Sequence, residues 1–117
     1  MAIPSRSGTE VLKRAYIPAV TNSPQKIIDG VANHIYTVLN LTFCEQGNAT
    51  ELIHLFVYPS ADSSNGIYLL GSQSLSAYST FVWNDKIVLT GTDELVFQTS
   101  DSANVDVYCN YIDQDWT

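Results

Sequence analysis

The chain has 117 residues, which is the usual size of one domain, so we expect a single compact core. Hydrophobic residues make up 45% of it and charged residues 15%, a composition that excludes an intrinsically disordered protein. No apolar run approaches the roughly 18 residues that span a bilayer, and the first residues lack the apolar region of a signal peptide. The net charge of -7 argues against nucleic acid as a partner.

The charge is unevenly distributed along the chain. Residues 1–26 carry a net charge of +3, and residues 27–117 carry a net charge of -10. Residues 1–9 have no periodicity and contain Pro, Ser and Gly, which predicts an extended N-terminal arm. A basic arm ahead of an acidic body indicates an assembly contact, either with its own body or with a neighbouring copy. The alternative is that a few surface cations simply fall early in the chain.

Taken in chain order, the predicted elements are all strands. Each has β-branched and aromatic residues or alternating polarity, and each is bounded by turn-forming residues. The predicted strands cover residues 11–17, 26–29, 34–45, 52–58, 67–70, 78–83, 86–89, 94–99 and 104–112. Short strands at such intervals favour an antiparallel sandwich, jelly roll or small barrel. We therefore predict an all-β fold, an antiparallel β-sandwich or jelly roll of about eight strands, with a single domain over residues 10–117.

The longest predicted strand, residues 34–45, alternates in polarity. Its apolar phase contains Ile35, Leu39, Leu41 and Phe43, and we expect these side chains in the core. The opposite phase, which includes Tyr36, is expected on the outer face. The closing strands are predicted to complete the core with the following apolar residues: Ile87, Leu89, Leu95, Phe97, Val105 and Val107.

No catalytic or cofactor-binding motif is present in the sequence. His54 lies between two apolar residues, and the interpretation we prefer is a histidine packed on a sheet face and bonded to a neighbour. A calcium site at Asp93, Glu94 and Asp101 is the weaker alternative, because the dense acidic loop of calcium sites is absent. We predict no catalytic residues, no cofactor and no metal.

The two cysteines, Cys44 and Cys109, have opposite alternation phases in their predicted strands. Cys44 shares the phase of polar residues, whereas Cys109 shares the phase of Val105 and Val107. Side chains on opposite faces of a sheet cannot meet. We predict two free thiols.

Seven tyrosines are the most conspicuous side chains of the sequence. Tyrosine combines a large apolar surface with a polar tip, which suits protein interfaces and sugar-binding faces, although tyrosine is also common on ordinary strands. Together with the basic arm and the aromatic tail, they give a set of candidate partner-binding residues: Arg6, Lys13, Arg14, Tyr36, Tyr108 and Trp116.

Three stretches of the sequence form a recognisable pattern: the N-terminal strand at residues 7–20, the stretch Asn84 to Leu89 followed by Gly91 to Leu95, and Val105-Asp106-Val107. In these stretches the sequence resembles small all-β virion structural proteins of tailed bacteriophages, and the resemblance covers nearly the whole chain, from Ser7 to about Asp113. Thr92 departs from the pattern, because a direct Gly-Asp is usual at this point.

This resemblance implies a non-enzymatic subunit of the virion, assembled in the host cytoplasm. The first expectation is a capsid decoration or cement protein that binds the major capsid protein or other virion proteins, as a homo-oligomer and preferably a trimer. The second is a neck, tail or fibre-attachment component. A carbohydrate-binding β-sandwich remains the alternative of a different class, and only the tyrosines support it.

Overall fold

The computed structural model describes residues 9–18, 22–101 and 104–116. The predicted arm and Arg6 lie outside these ranges, apart from Thr9, which already belongs to the first strand. The nine strands are β1 (Thr9–Ile17), β2 (Gln25–Asp29), β3 (His34–Glu45), β4 (Glu51–Tyr58), β5 (Ile67–Leu75), β6 (Thr80–Trp83), β7 (Ile87–Thr90), β8 (Glu94–Thr99) and β9 (Val105–Asp115). A 3-10 turn, Pro59–Ala61, follows β4.

The strands form two antiparallel sheets that pack face to face. Sheet A has the order β1-β9-β3-β6, with β7 also paired to β3, and sheet B has the order β2-β8-β4-β5. One long antiparallel ribbon is formed by four successive pairings: β1 with β9, β2 with β8, β3 with β6 and β7, and β4 with β5. The ribbon folds over and closes through β3–β9 and β4–β8, which is the jelly-roll arrangement. The predicted fold class is confirmed.

The predicted facing of β3 is correct for only half of the strand. The pairing with β9 shifts by one residue between Val38 and Asn40, so Leu39 is an extra residue in the ladder. Because one extra residue reverses which side chains face the core, Tyr36 and Val38 are buried in the first half, and Leu41 and Phe43 in the second. The placement of Tyr36 on the outer face is wrong, since its side chain is 4% exposed.

The core lies between the sheets and contains most of the apolar residues predicted for it. Leu41, Phe43 and the six residues predicted from the closing strands are all buried. Ile35 and Leu39 are only half-buried, because the bulge turns them away from the centre. Phe43 stacks on Phe97 of the other sheet at a centroid distance of 5.4 Å, so ring packing joins the two sheets.

Both cysteines lie within the described residues, and both are free thiols. Cys109 is fully buried in the core, while Cys44 is half-buried on the opposite face of sheet A. The prediction of two separated thiols is confirmed. Burial raises the pKa of the Cys109 thiol to about 12.

Candidate assembly surface

The outer face of sheet A carries two rows of side chains that cross the sheet. One row runs through Leu12, Ile112, Thr37 and Val88, and its ends are the most exposed, at 71% for Leu12 and 61% for Val88. Burying such apolar side chains against a partner removes them from water, which favours association. We call this outer face the assembly surface.

The second row of the assembly surface contains two tyrosines. It runs through Tyr16, Tyr108, Thr42 and Val82. The rings of Tyr16 and Tyr108 are nearly parallel, with centroids 6.3 Å apart, and both side chains are exposed. Between the two rows, Asn110 donates a hydrogen bond of 2.8 Å from its Nδ2 to Oδ1 of Asn40. The surface therefore combines exposed apolar and aromatic side chains with polar ones, residue types that are also found together in protein interfaces.

Strand β1 forms one edge of sheet A, and in the described part of the chain it pairs only with β9. It is exposed on both faces, since Val11 on one face is 46% exposed and Leu12 on the other is 71% exposed. The outward-facing backbone of such an edge can receive another strand. Arg14 lies on this strand with its guanidinium 6.0 Å from the ring centre of Tyr16.

A buried carboxylate attaches β1 to the body of the molecule. Lys13 donates a hydrogen bond of 2.8 Å to Oδ2 of Asp113, and His34 Nδ1 lies 2.7 Å from its Oδ1. An ionised carboxylate only accepts hydrogen bonds, so Nδ1 of His34 carries the proton in this pair. Burial by itself would raise the pKa of Asp113, but the hydrogen bonds from Lys13 and His34 outweigh it and lower that pKa.

The opposite end of the sandwich is acidic. Glu45, Glu51 and Asp101 lie there, and Asp106 pairs with Cys44 beside them. The pKa of Glu51 is raised by burial and by the negative charges of Asp101 and Glu45. Because like charges repel, this end of the molecule favours a cationic neighbour.

His54 and Ser100 form the arrangement most similar to a catalytic pair. Nε2 of His54 lies 3.0 Å from Oγ of Ser100, while the backbone N–H of Ser72 donates to His54 Nδ1. With Nδ1 occupied as an acceptor, the neutral ring carries its proton on Nε2 and donates to the hydroxyl. The histidine is therefore in the wrong tautomer to activate this serine as a nucleophile. The prediction of a histidine bonded to a neighbour on a sheet face is confirmed.

The structure brings together some of the predicted partner-binding residues and separates others. Arg14 and Tyr108 lie together on the assembly surface, and Lys13 lies on the same strand as Arg14 but is paired with Asp113. Tyr36 is buried, and its hydroxyl accepts a hydrogen bond from the backbone N–H of Val31. Trp116 is half-buried after β9, where its backbone N–H donates to the carbonyl of Asn33.

Sequence reasoning missed four exposed members of the assembly surface: Leu12, Tyr16, Val82 and Val88. Leu12 and Tyr16 share one alternation phase of β1 with Arg14, so that phase could have identified them. Val82 and Val88 could not be found this way. Their alternation indicates two faces, but only the sheet pairing shows which face is covered.

Two kinds of site were not found among the described residues. No group of three or more His, Cys, Asp or Glu side chains is placed to hold a metal ion. Both carboxylate oxygens of Asp93, a calcium candidate, accept backbone N–H groups, from Ser60 and Thr90. In the same part of the chain, no helix has the length and apolarity to cross a membrane.

No protein-family model matches the sequence, and no match was found among curated proteins. Solved structures do match. A chain from Bacillus endospore appendages, described as disulfide-linked pili, aligns with 11% identity and a TM-score of 0.59 over 100% of this chain and 97% of that chain. A chain of the infectious bursal disease virus Gx strain aligns with 9% identity and a TM-score of 0.60 over 97% of this chain.

A third match is the acid-stable capsid of Helicobacter pylori bacteriophage KHP30, with 12% identity and a TM-score of 0.53 over 95% of each chain. The present chain spans only 33% of the bursal disease virus chain, but nearly all of the other two. At such low identity, these similarities show that the fold is shared.

Proposed function

We propose that this protein is a non-enzymatic structural subunit of a virion, and that it decorates or cements the assembled capsid. The observation that carries the proposal is the assembly surface, an open sheet face with exposed apolar side chains at Leu12, Tyr16, Val82 and Val88. Exposed apolar side chains that share one face of a sheet are typical of a site of protein contact.

The shared fold supports the same proposal. Structures with this fold include a phage capsid and a bursal disease virus chain, and also endospore pili. Capsids and pili are both large assemblies of repeated subunits. The sequence resemblance to virion proteins of tailed phages favours the capsid over the pilus for this chain.

The proposed partner is the major capsid protein or another virion protein, with the protein itself a homo-oligomer, preferably a trimer, in a virion assembled in the host cytoplasm. Residues 1–9, including Arg6, are proposed to act as an arm that attaches residues 10–117, the single domain, to the shell. Lys13, Arg14, Tyr108 and Trp116 remain the other proposed partner-binding residues. Tyr36 is no longer among them, because its side chain is buried.

The decisive experiment measures binding of the purified protein to capsids that lack their decoration. We expect tight, saturable binding, weakened at least tenfold by Val88→Ser. Ile67→Ser is the matched control, since Ile67 is also β-branched and exposed but lies in sheet B. Deleting residues 2–8 should also weaken binding without changing the thermal melt. Binding that is absent, or that Ile67→Ser reduces as much as Val88→Ser, would contradict the proposal.

Two alternatives predict different results. A neck, tail or fibre-attachment component would be present in a virion as a small multiple of three or six copies, whereas a decoration protein would be present in hundreds, which quantitative mass spectrometry distinguishes. The stacked, exposed rings of Tyr16 and Tyr108 favour a carbohydrate-binding sandwich as the second candidate. Saturable glycan binding abolished by Tyr108→Ala would support it.

A further inference from the structure

Strand β1 has a sequence that complements itself. Its residues that face the assembly surface are Glu10, Leu12, Arg14 and Tyr16. Leu12 stands midway between an acidic and a basic residue on this face. If two copies of β1 lay side by side in antiparallel orientation with the twofold axis at Leu12, Glu10 of each copy would stand opposite Arg14 of the other.

We propose that two copies of this chain associate by antiparallel pairing of their β1 strands about a twofold axis at Leu12. The pairing extends sheet A of each copy into one continuous sheet. It places two Glu10–Arg14 ion pairs on the assembly surface, with the two Leu12 side chains in contact between them. The proposal does not rest on the virion role.

The first support is the accessible edge. In the described chain, β1 pairs with β9 only, so the backbone N–H and C=O groups of its other side bond to no other strand and can pair with a partner. Residues Thr9 to Arg14 are all exposed. Adding a strand to a sheet edge supplies main-chain hydrogen bonds over the full length of the pairing.

The second support is apolar burial at the axis. Leu12 is the most exposed apolar side chain of β1, at 71%, and it ends the row that runs from Val88 through Thr37 and Ile112. Side chains directly opposite each other in an antiparallel pair lie about 4.5–5.5 Å apart at Cβ. The pairing therefore brings the two leucines together and continues the row into the second copy.

The third support is charge. Among the described residues, ion pairs join Lys13 and Lys26 to carboxylates, whereas the guanidinium of Arg14 lies over the ring of Tyr16. Glu10 accepts a hydrogen bond from the side-chain amide of the half-buried Gln114. Both Glu10 and Arg14 are at the surface and can reorient toward a second copy without uncovering a buried group. Opposite charges facing each other across strands stabilise a pair, and like charges destabilise it.

Charge reversal tests the register. Arg14→Glu places a second carboxylate opposite Glu10, and we expect at least a tenfold weaker dimer by sedimentation velocity. The double variant Glu10→Arg with Arg14→Glu restores opposite charges and should return the dissociation constant to within about threefold of wild type. Lys86→Glu is the matched control, because it changes the net charge equally at an exposed loop position, and it should leave the dimer unchanged.

A cross-linking variant tests the position of the axis. Leu12→Cys should form a disulfide-linked dimer on mild oxidation, because the two new thiols face each other. Val88→Cys lies on the same face but at the opposite edge of sheet A, so it should not cross-link. Wild type measures any cross-linking through Cys44 and Cys109.

The proposal is overturned if the protein is monomeric at 200 µM, if the double variant does not regain association, or if Val88→Cys cross-links as fast as Leu12→Cys. A trimer that is unaffected by these charge changes would also overturn it. That trimer would leave the proposed capsid role intact, because capsid binding is measured separately.

Discussion

At the scale of single residues, Asp113 connects three strands. It belongs to β9, and its two oxygens hold Lys13 of β1 and His34 of β3. Next to it, Tyr36 stacks on His34 at a centroid distance of 5.8 Å. The core at this end of the sandwich is therefore polar, and its cost is offset because each oxygen of the buried carboxylate has a cationic or N–H partner.

We expect Asp113→Asn to lower the free energy of unfolding by about 1–3 kcal/mol at pH 7, since the charge-assisted hydrogen bonds to Lys13 and His34 are lost. Urea denaturation measures the change. Asp85→Asn, in an exposed loop, is the control and should change stability by less than about 0.5 kcal/mol. If both substitutions changed stability equally, the contacts of Asp113 with Lys13 and His34 would make no specific contribution to stability.

The difference in stability between wild type and Asp113→Asn should depend on pH. The pKa of Asp113 is lowered by folding, so its contribution is present above the unfolded value of about 4 and is lost as the pH falls through the folded value. The pKa of Lys13 is raised by its hydrogen bond with Asp113, so its contribution is lost only as the pH rises above about 10. The difference between wild type and Asp113→Asn should shrink below pH 4.

Tyr36 gives a second prediction at this scale. Tyr36→Ala removes a buried ring, and we expect a loss of about 3 kcal/mol, similar to the roughly 3–5 kcal/mol expected for Phe97→Ala. Tyr36→Phe should cost about 1 kcal/mol, because only the hydrogen bond from Val31 is lost. Chemical denaturation measures all three. If Tyr36→Ala lowered the free energy of unfolding only slightly, the ring would lie on the surface, and the β-bulge at Leu39 would be wrong.

At the scale of elements, β3 is the strand that organises sheet A. It pairs along one side with β9, and along the other with β7 in its first half and β6 in its second half. The bulge at Leu39 falls at the division between β6 and β7. Because a bulge increases local twist, it lets one long strand serve two short partners.

Deleting one residue tests this role of Leu39. Without it, the residues from Tyr36 to Phe43 alternate regularly between core and outer face, so we expect a folded protein that loses about 1–2 kcal/mol. Deleting Thr42 instead would turn Phe43 out of the core, and we expect no cooperative unfolding transition. Circular dichroism with thermal melting distinguishes the two. If both deletions unfold the protein, the bulge itself is indispensable.

At the scale of the whole molecule, Cys109 reports on the integrity of the core. Its thiol is fully buried with a pKa of about 12, whereas Cys44 is half-buried. We expect a thiol reagent at pH 8 to modify Cys109 only when the molecule unfolds, because the thiolate is the reactive form. Cys44→Ser should therefore show no reaction when native and one thiol in denaturant. Rapid native reaction of that variant would contradict the burial of Cys109.

Local pattern determined much of this fold. Alternation and turn residues predicted β8 at residues 94–99 and β3 at residues 34–45 with their observed bounds, and they placed Phe97, Val105 and Val107 in the core. These features depend on neighbours along the chain, since a strand repeats every two residues and a turn is set by a few residues. The separation of the two cysteines followed from the same repeat.

Only the tertiary structure decided what depends on pairing between distant strands. Leu39 is an extra residue only in the pairing of β3 with β9. The periodicity within β3 therefore could not show that Tyr36 is buried. Val88 is likewise exposed because no element of the described chain packs over the outer face of sheet A. The contact between Lys13 and Asp113, which are 100 residues apart, required the β1–β9 register. A single sequence specifies the alternation of side chains along a strand. The strand register, and which sheet face is buried, depend on which strands pair and pack together.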